Sequence, residues 1–248
     1  MKPILIIAAM PLETIILESA LTQSVGMNTA GLEYLEGKLR NLSIIVCAGG
    51  VGKINAAAAT AVLIEKHHPR LVINTGCAGA YIGSGLSIGS LAVASEEVLA
   101  DEGVILAAGW KDLSYMELPA LDQNGRQHFN TIPLSRHASE KAMQLADNYG
   151  VSLKRGRFAT VSTCSGTRPR GEELAERWNV IAENMEGAAV AQICLRCRVD
   201  CLEIRGISNL VEERDMKKWE LTRAVEAAQR FVLKYLEEMD RPVNALRR

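Results

Sequence analysis

The chain predicts an α/β fold: a single domain over residues 1–248, layered α/β/α, with helices on both faces of a mixed, largely parallel central sheet. Three observations carry this expectation. Apolar runs of strand length alternate with helix-length segments from one end of the chain to the other, the order that sets strands side by side and lays helices over them. Runs such as Ile4-Leu5-Ile6-Ile7 and Leu71-Val72-Ile73 are continuously apolar, as strands buried on both faces require. At 248 residues, 48% hydrophobic and 23% charged, the chain has enough apolar side chains for one large core, and it shows no internal repeat or low-complexity linker.

The elements follow in order. Residues 4–9 form a first buried strand, and Pro11 suits the first turn of a helix reaching about Ala20. Residues 34–37 and 42–47 read as two strands around a polar turn. Gly49-Gly50-Val51-Gly52 then leads into an Ala-rich helix over 55–66, stopped by Pro69. The strand at 71–75 runs into a glycine-rich loop, Gly76-Cys77-Ala78-Gly79-Ala80, extended through Gly83, Gly85 and Gly89 to a strand around 91–94. Residues 109–133 are polar and irregular and decorate the domain. A helix over 135–149, a strand near 157–163 and a short helix near 171–178 come next. Glu186 opens a small-residue helix over 187–194, residues 201–204 form a strand that carries Arg205 and Asn209 to its end, and a last helix covers about 218–238.

Composition excludes several classes of partner. A formal net charge of −1 gives no electrostatic reason to expect nucleic acid or an acidic membrane surface. The basic end, 241–248, reads as a solvated tail. No apolar run reaches the roughly 20 residues needed to span a bilayer, so a cytoplasmic protein is expected. Its six cysteines should then be reduced and mostly buried thiols.

Most local motifs dissolve on inspection. Gly52-Lys53 invites a phosphate-loop reading, but that pattern needs a glycine where Cys47 stands and Ser or Thr where Ile54 stands. A tight strand-to-helix turn is the simpler reading. Cys194, Cys197 and Cys201 lack a histidine partner for zinc and are better read as small buried hydrophobes. Ser165 lacks the strand-turn-helix elbow of a nucleophile. Two carboxylates stand out. Glu13 lies just past the first strand, where an exposed first-turn acid is the ordinary alternative. Glu186 lies at the start of the small-residue helix, between Met185 and Gly187-Ala188-Ala189, whose small side chains allow close backbone approach. Both face the strand ends, where open α/β sheets bind ligands.

Met10 with Glu13, Thr75-Gly76-Cys77-Ala78-Gly79, Glu183-Asn184-Met185-Glu186-Gly187-Ala188 and Arg205-Gly206-Ile207-Ser208-Asn209 together resemble the purine nucleoside phosphorylase and methylthioadenosine nucleosidase superfamily. The resemblance spans nearly the whole chain. Within it, residues 97–103, 163–167 and 208–211, with Arg214, Asp215 and Trp219, look most like the futalosine hydrolases, which release hypoxanthine from futalosine in a route to menaquinone. The resemblance implies a role for each matching residue. Glu186 would bind the ribose hydroxyls, Met185 would pack on the sugar, and Glu13 would activate the attacking water. Cys77, Ala78 and Gly79 would line the substrate, while Cys164 and Ser165 would flank the purine and bind it through backbone groups. Arg205 would orient Glu186, and Asn209 would meet the leaving base, with Asp215 a weaker candidate to assist. It implies no metal and no cofactor, a small-molecule purine nucleoside as ligand, and a homo-oligomer.

Asn209 carries the choice of base. Relatives that act on adenine nucleosides place an Asp here to protonate N7; an amide cannot, although its NH2 can donate to N7 and O6. That favours a 6-oxopurine, with methylthioadenosine or adenosylhomocysteine nucleosidase as the enzyme alternative and a non-catalytic nucleoside-binding protein as the other. Water is expected as nucleophile over phosphate, because the segment from Ala8 to Glu13 offers a carboxylate and no cation. The acyl side of the nucleoside is expected against residues 110–128 or the Arg214–Trp219 group.

Overall fold

The computed structural model describes residues 2–123 and 125–240, so the basic tail lies outside the described residues. The strands, in chain order, are β1 (Ile4–Ala8), β2 (Thr22–Thr29), β3 (Leu32–Leu39), β4 (Leu42–Ala48), β5 (Leu71–Ala80), β6 (Leu91–Leu99), β7 (Gly103–Leu106), β8 (Gly109–Asp112), β9 (Leu121–Gln123), β10 (Arg126–His128), β11 (Thr131–Pro133), β12 (Leu153–Thr160), β13 (Val180–Asn184) and β14 (Asp200–Leu210). The helices are α1 (Ile15–Ser19), α2 (Lys53–His67), α3 (Arg136–Asn148), α4 (Arg168–Trp178), α5 (Gly187–Cys197) and α6 (Leu221–Met239).

Ten strands form one mixed sheet among these residues, in the order β11-β6-β12-β13-β5-β1-β4-β3-β2, with β14 bridging β5 and β6. The expected α/β layering is present. Alternate residues of β1 serve opposite faces: Ile4 and Ile6 pack with Leu145, Val232 and Tyr235 from α3 and α6, whereas Leu5 and Ile7 pack with Ala59, Leu63 and Val190 from α2 and α5. The sheet also closes on itself. Following β5-β14-β6-β12-β13 returns to β5, which makes a small ring of strands at one end of the molecule.

Several expected elements are corrected. The single helix expected from Pro11 to Ala20 is a 3-10 turn, Pro11–Glu13, followed by the short α1. The tighter turn folds Glu13 back onto the end of β1. The glycine-rich segment 76–80, expected as loop, continues β5 and pairs with β14 on one side and β13 on the other. β2 has no counterpart in the sequence reading, because it is a mostly exposed, polar strand at the sheet edge. Residues 109–133 hold parts of two small hairpins, and β11 within them joins the main sheet beside β6. Burial of the thiols is less complete than expected: Cys47, Cys194 and Cys201 are buried, but Cys164 and Cys197 are exposed. Cys197 ends α5 on its open side, so burial does not explain it. Among the described residues, no helix is long and apolar enough to cross a membrane.

Candidate active site

The ends of β1, β5, β13 and β14 surround a cavity of about 230 Å³. Every site residue expected from the sequence lines it except Arg205, which lies beneath, and the weaker candidate Asp215. At one end are the carboxylates of Glu13 and Glu186. Glu13 is only 2% exposed, so it is no ordinary surface acid. Its Oε2 accepts the N–H groups of Ala9 and Met10 at 3.0 Å each, and its Oε1 accepts that of Cys77 at 2.9 Å. Gly76 makes room for it, since a Cβ there would strike the Glu13 carboxylate.

Glu186 sits at the N-terminal cap of α5. Its Oε1 accepts the Gly52 N–H at 2.9 Å, and its Oε2 lies 3.5 Å from Arg205 Nη1. The turn around Gly52 therefore does more than link a strand to a helix: it supplies a donor to the site. Burial raises the Glu186 pKa above its ordinary value, and Arg205 and the Gly52 N–H oppose that shift. Lys53, once detached from the phosphate-loop reading, pairs with Asp101 and Glu102 at 2.9 Å each.

Arg205 is 1% exposed. Burial alone would lower its pKa, but Glu203, Glu186 and Glu13 outweigh that and raise it, so it remains a cation. Its Nε donates to Glu203 Oε1 at 2.8 Å. A fourth carboxylate, Glu97, abuts Glu203 beneath Gly187, where a Cβ would collide with both. Burial first, and then the neighbouring Glu203, push the Glu97 pKa well above the carboxylate range. That shift favours the neutral acid, which would offer a donor to Glu203, whose Oε2 has no partner among the described residues. Asn184 and Thr160 tie this layer to the helix above. Asn184 Oδ1 accepts the N–H groups of Glu186 and Gly187 at 2.9 and 2.7 Å, and Thr160 Oγ1 accepts that of Ala188 at 2.7 Å. These contacts satisfy first-turn donors that a helix cannot satisfy itself.

The other end of the cavity is built around Gly79. A bulge at Ser208 shifts the β14–β5 register so that Asn209, not Ser208, stands beside Gly79. Ser208 Oγ donates to Asn209 Oδ1 at 2.8 Å, and Asn209 Nδ2 donates to the Leu210 carbonyl at 3.0 Å. One amide hydrogen is left over for a ligand. The resemblance implies that backbone groups of Cys164 and Ser165 bind the purine; both residues line the cavity, and the Ser165 N–H donates to Glu183 Oε1 at 2.8 Å. Cys164 Sγ lies 3.3 Å from Met185 Sδ. Burial, and then Glu13, push the Cys77 thiol up to about 12; burial, and then Glu183, also raise Cys164. Neither is an activated thiolate.

Arg214, stacked 4.7 Å from the centre of the Trp219 ring, is the one lysine or arginine among the described residues that line the cavity. None of the described residues in 110–128 lines it. Trp110 instead packs edge-on against Trp178. Asp215 is also outside, with its carboxylate on the Lys217 N–H at 3.1 Å. The sequence reading quoted Glu183, Asn184 and Glu97 within its motifs and Gly52 as a turn but gave none of them a role, and it passed over Glu203. For the three acids the available signal was a charge inside an otherwise apolar strand.

The chain matches the family model described as the phosphorylase superfamily over residues 3–237. It is 30% identical over 239 residues to a 5'-methylthioadenosine/S-adenosylhomocysteine nucleosidase of Bacillus thuringiensis, covering 95% of this chain and 99% of that one. A structure of a futalosine hydrolase mutant of Helicobacter pylori aligns with a TM-score of 0.84 and 26% identity, over 96% of this chain and 100% of the other. A Helicobacter pylori nucleosidase mutant with 5'-methylthioadenosine in its active site aligns equally well, at a TM-score of 0.84 and 26% identity over 96% and 99%.

Proposed function

Because the chain belongs to the phosphorylase superfamily, we propose that its cavity hydrolyses the N-ribosidic bond of a purine nucleoside whose base is a 6-oxopurine, with futalosine as substrate and hypoxanthine as the base released. The observation that carries the choice of base is Asn209. Its oxygen is held by Ser208 and one amide hydrogen remains unspent, so it presents a single donor to the N7/O6 edge of the leaving base.

The carboxylates support the bond-breaking step. As the C1'–N9 bond breaks, positive charge grows on the ribose, and buried carboxylates stabilise that charge more than they stabilise the substrate. Glu186 holds the ribose hydroxyls. Glu13 takes a proton from water as the water oxygen bonds to C1' and the C1'–N9 bond breaks; the departing base takes a proton from solvent water, and Glu13 returns its proton to solvent, so the sum is one water consumed. Water is preferred over phosphate because the nearby cation, Arg205, is already paired with Glu203 and Glu186. A phosphate would meet uncompensated carboxylates. On this reading Arg214 meets a carboxylate on the acyl substituent, and the protein works in the cytoplasm as a homo-oligomer in menaquinone biosynthesis.

A second reading, hydrolysis of methylthioadenosine or adenosylhomocysteine, is favoured by the names of the curated relatives. A non-catalytic nucleoside-binding protein would need the diol contact but not Glu13. The variant Glu13→Gln separates binding from catalysis. Turnover should fall by about 10²–10⁴-fold while nucleoside affinity, measured by calorimetry, stays within a few-fold. Unchanged turnover would remove Glu13 from the chemistry.

A further inference from the structure

We propose that Asp101 is a positioning residue for Glu186: paired with Lys53, it latches the turn that presents the Gly52 N–H to that carboxylate, while its second oxygen fixes the 162–165 segment. The proposal rests on the reading of Glu186 as the group that holds the ribose hydroxyls.

The turn needs an outside tie. Gly50 and Gly52 have φ of +103° and +93°, and glycine has the most backbone freedom to lose on folding. Gly52 is also the N-terminal cap of α2, with no side chain to fasten itself. The N–H groups of Gly49 and Gly50 are held by the carbonyls of Ala8 and Ala9 at 2.9 and 3.0 Å, and the Val51 carbonyl by Asn55 Nδ2 at 2.8 Å. Beyond them the tie is ionic. Lys53 Nζ lies 2.9 Å from Asp101 Oδ1 and 2.9 Å from Glu102 Oε1. Burial alone would lower the Lys53 pKa, but Glu102 and Asp101 outweigh that and raise it, so the side chain stays a cation.

Of the two acids, Asp101 is the one built in. Its side chain is 17% exposed against 40% for Glu102, and exposed pairs contribute little. Its Oδ2 accepts the Ser162 N–H at 2.5 Å and that of Thr163 at 3.4 Å. The turn that carries it is fixed without Lys53. Asn130 Nδ2 donates to the carbonyls of Leu99 and Glu102 at 2.7 and 2.8 Å, and Trp178 Nε1 donates to that of Ala100 at 3.1 Å. One carboxylate therefore joins the start of α2 to the segment that brings Cys164 and Ser165 to the cavity. The latch itself stands in a neighbouring cleft, with Val51 and Met185 lining both spaces. It reaches Glu186 through the Gly52 N–H, 2.9 Å from Oε1. With the latch open, Glu186 loses the donor that fixes this oxygen.

Asp101→Asn opens it with little change of shape, because an amide whose oxygen stays with the Ser162 N–H turns its NH2 towards Lys53. On the proposed reading Glu186 meets the ribose diol, so the readout is discrimination between inosine and 2'-deoxyinosine. A merely structural Asp101 would lower activity on both alike. In the variant the ratio of kcat/KM for inosine to that for 2'-deoxyinosine should fall about 10-fold. The Gly52 amide should exchange with solvent about 10-fold faster, relative to the buried Ile6 amide of β1. An equal loss on both nucleosides, or a Gly52 amide as protected as before, would overturn the proposal. If Asp101→Asn does not fold, Lys53→Met is read by the same two measurements. Should no nucleoside be hydrolysed, the functional reading fails by itself, and exchange at Gly52 alone then decides the latch.

Discussion

On the proposed reading, Asn209 acts through a proton it lacks. A carboxyl group at the same place is able to protonate N7, whereas the amide only donates a hydrogen bond. Asn209→Asp should therefore shift the ratio of kcat/KM for methylthioadenosine to that for inosine upward by at least about 10-fold, a change of about 1.4 kcal/mol in relative barrier. An unchanged ratio would detach residue 209 from the choice of base. Glu97 makes a different prediction, on stability. Burial and the adjacent Glu203 raise its pKa well above the ordinary 4.5, so the folded chain keeps a proton that the unfolded chain releases. Stability from this group is full below the unfolded value and is lost as pH rises towards the folded one. Glu97→Gln preserves the shape of the neutral acid and removes its titration. The Tm of the variant should then fall less steeply than that of the unaltered protein as pH rises above about 4.5. Glu186, also raised, chiefly by burial, leaves part of the slope in both. Parallel Tm profiles would show that Glu97 does not hold the proton.

At the scale of elements, the site depends on how α5 begins. Gly187 admits the Glu97 and Glu203 carboxyl groups under the first turn, and Asn184 and Thr160 occupy its free N–H groups. Gly187→Ala should destabilise the protein by about 1–3 kcal/mol, read as a lower denaturation midpoint, and raise KM by displacing Glu186. A variant of unaltered stability and KM would mean that the turn relaxes without cost. Much of this was legible in the sequence. β1, α2, α3, α5 and the end of β14 announce themselves through apolar runs, and Glu13, Glu186, Arg205 and Asn209 stand where those runs end. Other elements carry no such signal. β2 is a polar edge strand, and the glycines of 76–80 look like a loop because glycine is rare in strands; here they make room for Glu13 and Arg205 at Gly76 and for Asn209 and Val211 at Gly79. The Glu183–Tyr81–Ser165 group joins three segments far apart in the chain, a contact that local patterning does not reveal.

Across the whole molecule, closure of β5, β14, β6, β12 and β13 into a ring brings distant segments to one cavity and divides it by chemistry. On the proposed reading Glu13 and Glu186 face the sugar, and both lie in the field of Arg205. Glu183 and Asn209 stand on either side of Gly79, and on the proposed reading Asn209 faces the base. Arg214 and Trp219 line the same cavity. The sugar end argues for hydrolysis of a nucleoside, and the base end for a 6-oxopurine rather than adenine. Both halves are tested by incubating the protein without phosphate with futalosine, inosine and methylthioadenosine in turn, and following the free base by chromatography. Hypoxanthine released from futalosine at a kcat/KM well above that for adenine release from methylthioadenosine is the predicted result. Adenine released preferentially, or hypoxanthine appearing only when phosphate is supplied, would contradict it.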